Sequence, residues 1–294
     1  MPELLKEMLR YKRPHGSYTE QLFIEKYIIP LGVEIDEAGN LFKRIGSAPV
    51  VWSCHTDTVH NKNGMQKVRF DGQFFSVKKS SCLGADDGAG LWLMLEMIKN
   101  EKEGLYIFHR GEELGGIGSN YIASKTPERL DGIKFAIAFD RKGTSSIITD
   151  QCGNCCSDEF AQSMIDQMPG YKKDPTGTFT DTANYTEIVP ECTNISVGYE
   201  NQHSKREILD FNHLYKLKEL MLNLDVSKLV AKRDPSIIEQ SSFGYADQGW
   251  YRSSRNDSML DIIWDNPDAI ADLLEQYGFT PESLQEELGQ AIPF

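Results

Sequence analysis

The chain has 294 residues, of which 40% are hydrophobic and 26% are charged, and this composition is typical of a folded globular protein. Its formal net charge of −13 disfavours nucleic acids and anionic membranes as partners, because both require a basic surface. The N-terminal segment is amphipathic and lacks the apolar run and small-residue cleavage site of a secretory signal. We therefore expect a cytoplasmic protein.

The chain begins with helical periodicity at 2–11 and at 18–29, followed by two strand-like runs around the Gly39-Asn40 turn. Four short apolar runs follow, at 50–54, 105–109, 135–139 and 194–198. They are nearly continuous in apolar character, which is expected for strands that helices cover on both faces. Helices are predicted between and after these strands, at about 88–100, 115–124, 157–168 and 210–225. This alternation predicts a three-layer α/β/α fold around a central mixed, mostly parallel sheet.

The C-terminal part differs in composition, and it divides the chain into three predicted segments. Residues 1–232 form the main domain, and residues 233–257 contain the mixture of Ser, Gly and aromatic residues typical of a linker or loop. Pro267 and Pro281 each lie where a proline favours the start of a helix, and Gly278 favours a helix end between them. We therefore predict a small helical C-terminal extension at 258–294.

Six cysteines are better interpreted as free thiols than as disulfides, because the sequence shows no export signal. Cys152, Cys155 and Cys156 have a spacing similar to that of a metal-binding knuckle, but no second pair completes a structural zinc site. The sequence assigns these three residues no role.

A histidine and an aspartate follow the first buried strand. His55 comes directly after the apolar run 50–54, at the carboxyl end of a predicted central strand, where open α/β sheets bind their ligands. Asp57 can accept the second ring N–H of His55 and so fix its tautomer, as carboxylates beside metal-binding histidines do. Taken alone, the motif is also compatible with a turn that carries solvated side chains.

Two pairs of neighbouring acids precede predicted helices. Asp86 and Asp87 lie among small residues, where Asp87 fits a helix cap and Asp86 a metal ligand, and both interpretations can hold together. Glu112 and Glu113 follow the strand at 105–109, and the simpler interpretation of that pair is two solvated carboxylates. That simpler interpretation leaves unexplained why acids follow strand ends repeatedly.

Asp140 and His203 complete the pattern, because each follows a predicted strand. The ligand-type residues at strand ends are His55, Asp86, Glu113, Asp140 and His203. One sheet edge gathers them without further assumption. Two imidazoles and three carboxylates suit a pair of divalent ions that share one carboxylate. The donor types favour zinc, and cobalt or manganese are also compatible.

In motif order and approximate spacing, the sequence resembles the co-catalytic zinc exopeptidase superfamily, which includes peptidase T, the glutamate carboxypeptidases and the zinc aminopeptidases. The shared elements are His55-x-Asp57, Gly-Ala-Asp-Asp at 84–87, Glu-Glu-x-Gly at 112–115, Asp140 and His203-Ser204, and they cover most of residues 50–205. The resemblance implies that His55 and Asp140 hold one metal ion, that Glu113 and His203 hold the other, and that Asp86 bridges them. It also implies that Glu112 is the general base and that the peptide bond between Asp86 and Asp87 is cis.

The sequence departs from peptidase T and the glutamate carboxypeptidases in one respect. These relatives carry a dimerisation domain between the last acidic ligand and the final histidine, whereas only 63 positions (203 minus 140) separate Asp140 from His203 here. The resemblance therefore implies a catalytic domain without that insertion, and it leaves the oligomeric state open.

The resemblance implies metal-dependent cleavage of a peptide or amide bond near the end of a small substrate, most readily by an aminopeptidase. Arg141 could instead bind a substrate carboxylate, which would favour an N-acyl amino acid deacylase or a carboxypeptidase, although a surface arginine is an equal interpretation. In the polar segment 177–185 we expect Asp181 or Tyr185 to contact the substrate, with helix capping by Asp181 as the competing interpretation. A catalytically inactive peptidase-like scaffold is the alternative from another class, and the presence of every ligand position and of the base disfavours it.

Overall fold

The computed structural model describes residues 2–237 and, beyond them, only positions 270, 274, 277, 279, 280 and 283. The chain divides into two compact units, Met1–Gln240 and Ser241–Phe294. The predicted linker at 233–257 and the predicted helical extension at 258–294 lie outside the described residues, except for 233–237 and the six positions above. The domain boundary at 232 therefore stays a prediction.

Residues 2–237 contain six α-helices and fourteen strands. The helices are α1 (Pro2–Met8), α2 (Tyr18–Tyr27), α3 (Ala85–Lys99), α4 (Ile117–Lys125), α5 (Asp158–Ile165) and α6 (Phe211–Asn223). The strands are β1 (Tyr11–Lys12), β2 (Glu34–Ile35), β3 (Leu41–Ile45), β4 (Val50–His55), β5 (Gly64–Met65), β6 (Val68–Phe70), β7 (Phe74–Val77), β8 (Gly104–His109), β9 (Phe135–Arg141), β10 (Ser146–Ile148), β11 (Lys172–Asp174), β12 (Glu191–Ser196), β13 (Tyr199–Glu200) and β14 (Ile208–Asp210). Short 3₁₀ turns cover Ile29–Leu31, Glu112–Leu114, Pro127–Leu130, Asp181–Tyr185 and Val226–Lys228. No helix within the described residues is long and apolar enough to cross a membrane.

Eight strands form the central sheet, in the order β11-β10-β12-β9-β4-β8-β3-β2. The four central strands, β12, β9, β4 and β8, run parallel to one another. Antiparallel pairing begins on either side of them, where β10 meets β12 and β3 meets β8. Every residue of β4 and β12 is buried, so the sheet is covered on both faces. The predicted three-layer α/β/α fold with a mixed sheet is confirmed.

A second, four-stranded sheet has the order β13-β14-β7-β6. It packs on the core through aromatic rings: Phe75 of β7 contacts Phe211 of α6 with ring centroids 5.8 Å apart, and Phe211 contacts Trp92 of α3 at 5.7 Å. The sequence does not predict this sheet, because its strands are only two to four residues long. The sheet matters for the site because the turn between β13 and β14 carries His203.

Helix α3 joins the sheet to the acidic pair at its own N-terminal end. It packs against β4 and β9, and most of its side chains are buried. Asp87 accepts the backbone N–H of Gly90 at 2.9 Å, which is the helix-cap geometry that the sequence predicts. The peptide bond between Asp86 and Asp87 is cis, as the resemblance implies.

Gly90 allows α3 to approach β9 closely. A Cβ atom at this position would lie 2.5 Å from the carbonyl oxygen of Phe139 and 2.5 Å from Oδ1 of Asp87. Because overpacking of this kind commonly costs about 1–3 kcal/mol, we expect Gly90→Ala to lower the free energy of unfolding by that amount. Urea unfolding followed by circular dichroism measures the loss. Asn120→Ala, at an exposed position of α4, is the control, and equal stability of the Gly90 variant and the wild type would contradict the close packing.

Candidate metal centre

The candidate ligands lie at the carboxyl-terminal edge of the parallel strands. His55 is the last residue of β4, and Asp140 lies near the end of β9. Glu112 and Glu113 lie in the 3₁₀ turn that follows β8. Because parallel strands end at the same edge of a sheet, the residues that follow them meet there. The structure thus brings side chains from two strands, from the turn after a third and from the start of α3 to one place.

Asp86 lies between two histidines. Its Oδ1 is 3.1 Å from Nε2 of His55, and its Oδ2 is 3.1 Å from Nε2 of His203. Nε2 of His55 also lies 3.6 Å from Oδ1 of Asp140, and Nε2 of His203 lies 3.2 Å from Oε2 of Glu113. One carboxylate is therefore shared by two groups of ligand-type atoms, which we call the His55–Asp140 group and the Glu113–His203 group.

Glu112 lies in the same cluster, beside His55. Its Oε2 is 4.0 Å from Nε2 of His55, and its side chain is 11% exposed. His55, Glu112 and Asp140 have ligand-type atoms within 4.8 Å of one another, and so do His55, Asp86 and Glu113. The sequence-predicted base and the five candidate ligands are therefore all close together.

A buried polar atom of this cluster lacks a hydrogen-bond partner. Within the part of the chain that the structure describes, Oε1 of Glu113 is buried and forms no hydrogen bond. An unsatisfied buried polar atom commonly costs about 1–3 kcal/mol, so a bound ligand would relieve a real penalty. Imidazole nitrogens and carboxylate oxygens are donors that suit zinc, cobalt or manganese. The residues present therefore fit a pair of divalent ions.

The proton affinities reflect how closely the carboxylates are packed. Burial opposes a charged His203, but the carboxylates of Asp86 and Glu113 outweigh it and raise its pKa to about 11. Burial and the charge of Asp86 raise the pKa of Glu113 to about 7. Burial, reinforced by the charge of Asp140, raises the pKa of Glu112 well above its usual range. Bound cations stabilise such a concentration of negative charge.

Asp57 holds the turn that carries the two glutamates. Its carboxylate accepts the backbone N–H groups of Gly111, Glu112 and Glu113 at 3.0, 3.2 and 3.2 Å. Its Oδ1 also lies 3.5 Å from Nδ1 of His55. The sequence points to the contact with His55 but not to the three bonds with the turn. Asp57 therefore lies beside one candidate ligand and holds the backbone segment that carries Glu112 and Glu113.

Comparison with known protein families identifies the type of site. The family model described as peptidase family M28 matches residues 40–188, about half of the chain. The chain belongs to peptidase family M28. It is a metal-dependent peptidase, and its membership supports the resemblance to the co-catalytic zinc exopeptidases. A search of curated proteins gives no significant match.

Solved structures share the fold of this peptidase. Aminopeptidase PepT of Bacillus cereus is 16% identical with a TM-score of 0.62, and the match covers 79% of this chain and 98% of that one. A tripeptidase of Staphylococcus aureus is 16% identical with a TM-score of 0.63, covering 75% and 95%. The TET1 peptidase of Pyrococcus horikoshii, which can assemble into a tetrahedron or a large octahedral shell, is 17% identical with a TM-score of 0.60, covering 75% and 98%.

Glu207 supports the loop of Asp86, and the sequence analysis misses it. Its Oε2 accepts the backbone N–H groups of Leu83 and Gly84 at 2.7 and 2.9 Å, and its Oε1 accepts those of Ala85 and Asp86 at 2.7 and 3.1 Å. Glu207 is fully enclosed at 1% exposure. The one available signal is its place four residues after His203, on the strand side of the same turn.

Arg141 is held away from the shared carboxylate by partners of its own. Its Nη2 donates to the carbonyl oxygen of Thr176 at 2.8 Å and lies 3.6 Å from Oδ2 of Asp174. The structure does not bring Arg141 into the group of candidate ligands.

Asp181 and Tyr185 lie beneath the site in a buried polar cluster. Oδ2 of Asp181 is 3.2 Å from Nδ1 of His109, and the hydroxyl of Tyr185 is 2.6 Å from Nε2 of the same ring. All three side chains are at most 1% exposed. The neighbouring Thr180 donates to Oδ2 of Asp140 at 2.8 Å. The segment 177–185 therefore reaches the candidate ligands through Thr180 rather than through Asp181 or Tyr185.

Removal of the Glu207 carboxylate should loosen the Asp86 loop. We expect Glu207→Gln to lower the free energy of unfolding by about 1–3 kcal/mol, because the amide group meets backbone N–H donors with a donor of its own. Metal affinity should fall by roughly 10–100-fold, as for other lost supports of a metal ligand. Urea unfolding and zinc titration measure the two effects. Glu200→Gln, on the exposed end of β13, is the matched control, and identical results for both variants would contradict this role.

Proposed function

We propose that the protein is an aminopeptidase that uses two divalent ions, most readily zinc. In this proposal His55 and Asp140 bind one ion, Glu113 and His203 bind the other, and Asp86 bridges them. The observation that carries the proposal is the position of Asp86, whose two oxygens each lie 3.1 Å from a different histidine. A carboxylate with an imidazole on each side suits a pair of divalent ions that share one ligand.

The chain's own residues supply the proton chemistry. When bound, the ions polarise the scissile carbonyl and lower the pKa of water towards about 7. Glu112 lies beside His55, with its Oε2 4.0 Å from Nε2 of that ring. Its raised pKa, caused by burial and by Asp140, favours acceptance of a proton from water and its later donation to the departing amine. Asp57 keeps the backbone of Glu112 fixed during this cycle.

The hydrogen-bond partners of Arg141 favour a substrate with a free amino group. Arg141, the residue that would favour a carboxypeptidase or a deacylase, is bonded to Thr176 and Asp174. The names of two structural neighbours, an aminopeptidase and a tripeptidase, agree with this choice.

Activity on a small substrate panel tests the proposal. Aminoacyl amides, dipeptides, tripeptides and N-acyl amino acids should be assayed with zinc, cobalt or manganese, before and after treatment with a chelator. We expect hydrolysis of substrates with a free amino group, loss of activity with the chelator and recovery with added metal. Preference for N-acyl amino acids would support the deacylase alternative. Two bound ions without turnover of any substrate would support the inactive scaffold.

The proposed roles of the two adjacent glutamates can be separated. Glu113→Gln should weaken the binding of one ion and also lower activity, because Glu113 is a proposed ligand. Glu112→Gln should keep both ions and bind substrate, but it should turn over at least about 100-fold more slowly, since general-base assistance is commonly worth about 10²–10⁴-fold. Metal stoichiometry and kcat measure the two effects. Loss of an ion in Glu112→Gln but not in Glu113→Gln would mean that the two roles are reversed. Full activity of both variants would mean that neither glutamate has its proposed role.

A further inference from the structure

The backbone of Asp140 lies in an irregular part of the ladder between β9 and β12. The pairing is regular up to Asn194 opposite Ala138, and it then shifts, so that Ser196 lies opposite Arg141. Phe139 and Asp140 together therefore face one residue of β12, which is a β-bulge. A bulge leaves backbone groups without their ladder partners and changes the direction of the side chain that it carries.

The side chain of Asn194 supplies the missing partners. Its Oδ1 accepts the backbone N–H of Asp140 at 2.8 Å, and its Nδ2 donates to the backbone carbonyl oxygen of Asp140 at 2.8 Å. Asn194 is 5% exposed, so water competes little for these bonds. A primary amide carries one acceptor and one donor group side by side, and it can therefore replace two ladder bonds at once.

We propose that Asn194 is a positioning residue that sets the metal affinity of the His55–Asp140 group. It acts on the backbone of Asp140, whereas Thr180 and Tyr199 bond the carboxylate oxygens directly, at 2.8 and 3.1 Å. Without the amide, the backbone at the bulge loses two hydrogen bonds, and the carboxylate of Asp140 can move relative to His55. The bonds of this carboxylate to Thr180 and Tyr199 remain. Metal sites require ligand positions within about 0.5 Å. The inference rests on the ligand assignment of the proposed function.

Asn40 offers a matched control on the other side of the centre. Its Oδ1 accepts the backbone N–H of Arg110 at 3.2 Å, and its Nδ2 donates to the carbonyl oxygen of Gly118 at 3.0 Å. Arg110 and Gly118 flank the turn that carries Glu113, so this amide braces the backbone of the Glu113–His203 group. Asn40 carries the same amide group as Asn194 and is also buried. It differs in that it bonds the segment that carries Glu113.

Metal titration tests the inference without any substrate. The full chain, freed of metal, is titrated with Zn²⁺ against a chromophoric chelator, which gives the number of ions and both dissociation constants. In Asn194→Leu we expect one ion to bind about 10–100-fold more weakly and the other to keep its affinity. Asp140→Asn should weaken the same ion, and adding Asn194→Leu to it should cause little further loss, because the amide acts through that ligand. Asn40→Leu should weaken the other ion, which Glu113→Gln also weakens.

Three outcomes would overturn the inference about Asn194. Unchanged affinity for both ions in Asn194→Leu would show that the bulge holds Asp140 without the amide. Equal weakening of both ions would show a general loosening of the fold. Asn194→Asp keeps the acceptor and the approximate shape, and it replaces the leucine variant if that protein does not fold; failure of both to fold would assign Asn194 to stability alone. A wild-type protein that binds no Zn²⁺ would instead contradict the proposed function, which separates the two failures.

Discussion

Several buried carboxylates share one edge of the central sheet. The rest of the structure around them depends on how their negative charge is stabilised. Asp86 lies within 3.1 Å of two histidines, with Glu113 and Asp140 on either side. Burial and mutual repulsion both oppose ionised carboxylates, so each one needs a cation or several hydrogen-bond donors. The chain meets this need in two ways. The exposed side of the cluster fits divalent ions, and the enclosed side is lined with backbone N–H groups.

The backbone donors are arranged around two carboxylates that do not belong to the candidate ligands. Asp57 accepts three N–H groups from the turn of Glu112 and Glu113, and Glu207 accepts four from the loop of Asp86. Each of these carboxylates thus fixes the backbone that carries a ligand-type side chain. The same hydrogen bonds that stabilise the buried charge also set the geometry of the site.

Sequence reasoning predicts the part of this arrangement that follows from strand order. The apolar runs of β4, β8, β9 and β12 identify the central strands, and a single rule about the edge of a parallel sheet then brings His55, Asp140 and the turn of Glu113 together. This rule alone does not tell which of His55 and His109 is a candidate ligand. Each is the last residue of a parallel strand, and the two are paired in the register of β4 and β8. The aspartate two residues after His55 is what distinguishes them. His109 instead bonds the hydroxyl of Tyr185 beneath the site.

The parts that sequence reasoning misses depend on contacts between distant segments. Glu207 lies more than 120 positions from the loop that it supports, and in the sequence only its place four residues after His203 connects it with the site. Asn194 is the first residue of the apolar run 194–198, and nothing in the periodicity there reveals a bulge on the adjacent strand. Arg141 follows Asp140 directly in the sequence, but it is bonded to Thr176 and lies close to Asp174, both more than 30 positions away.

The N-terminal segment adds a permanent cation behind the site. Arg13 is fully buried, and its Nε donates to the carbonyl oxygen of Thr56 at 2.8 Å, between His55 and Asp57 in the chain. Its guanidinium lies 4.7 Å from the ring centroid of Phe23, and the charges of Glu20, Asp87 and Asp57 oppose the fall in pKa that burial causes. A guanidinium keeps its charge at all physiological pH values. Part of the negative charge of Glu20, Asp57 and Asp87 is therefore balanced by a residue of the chain itself.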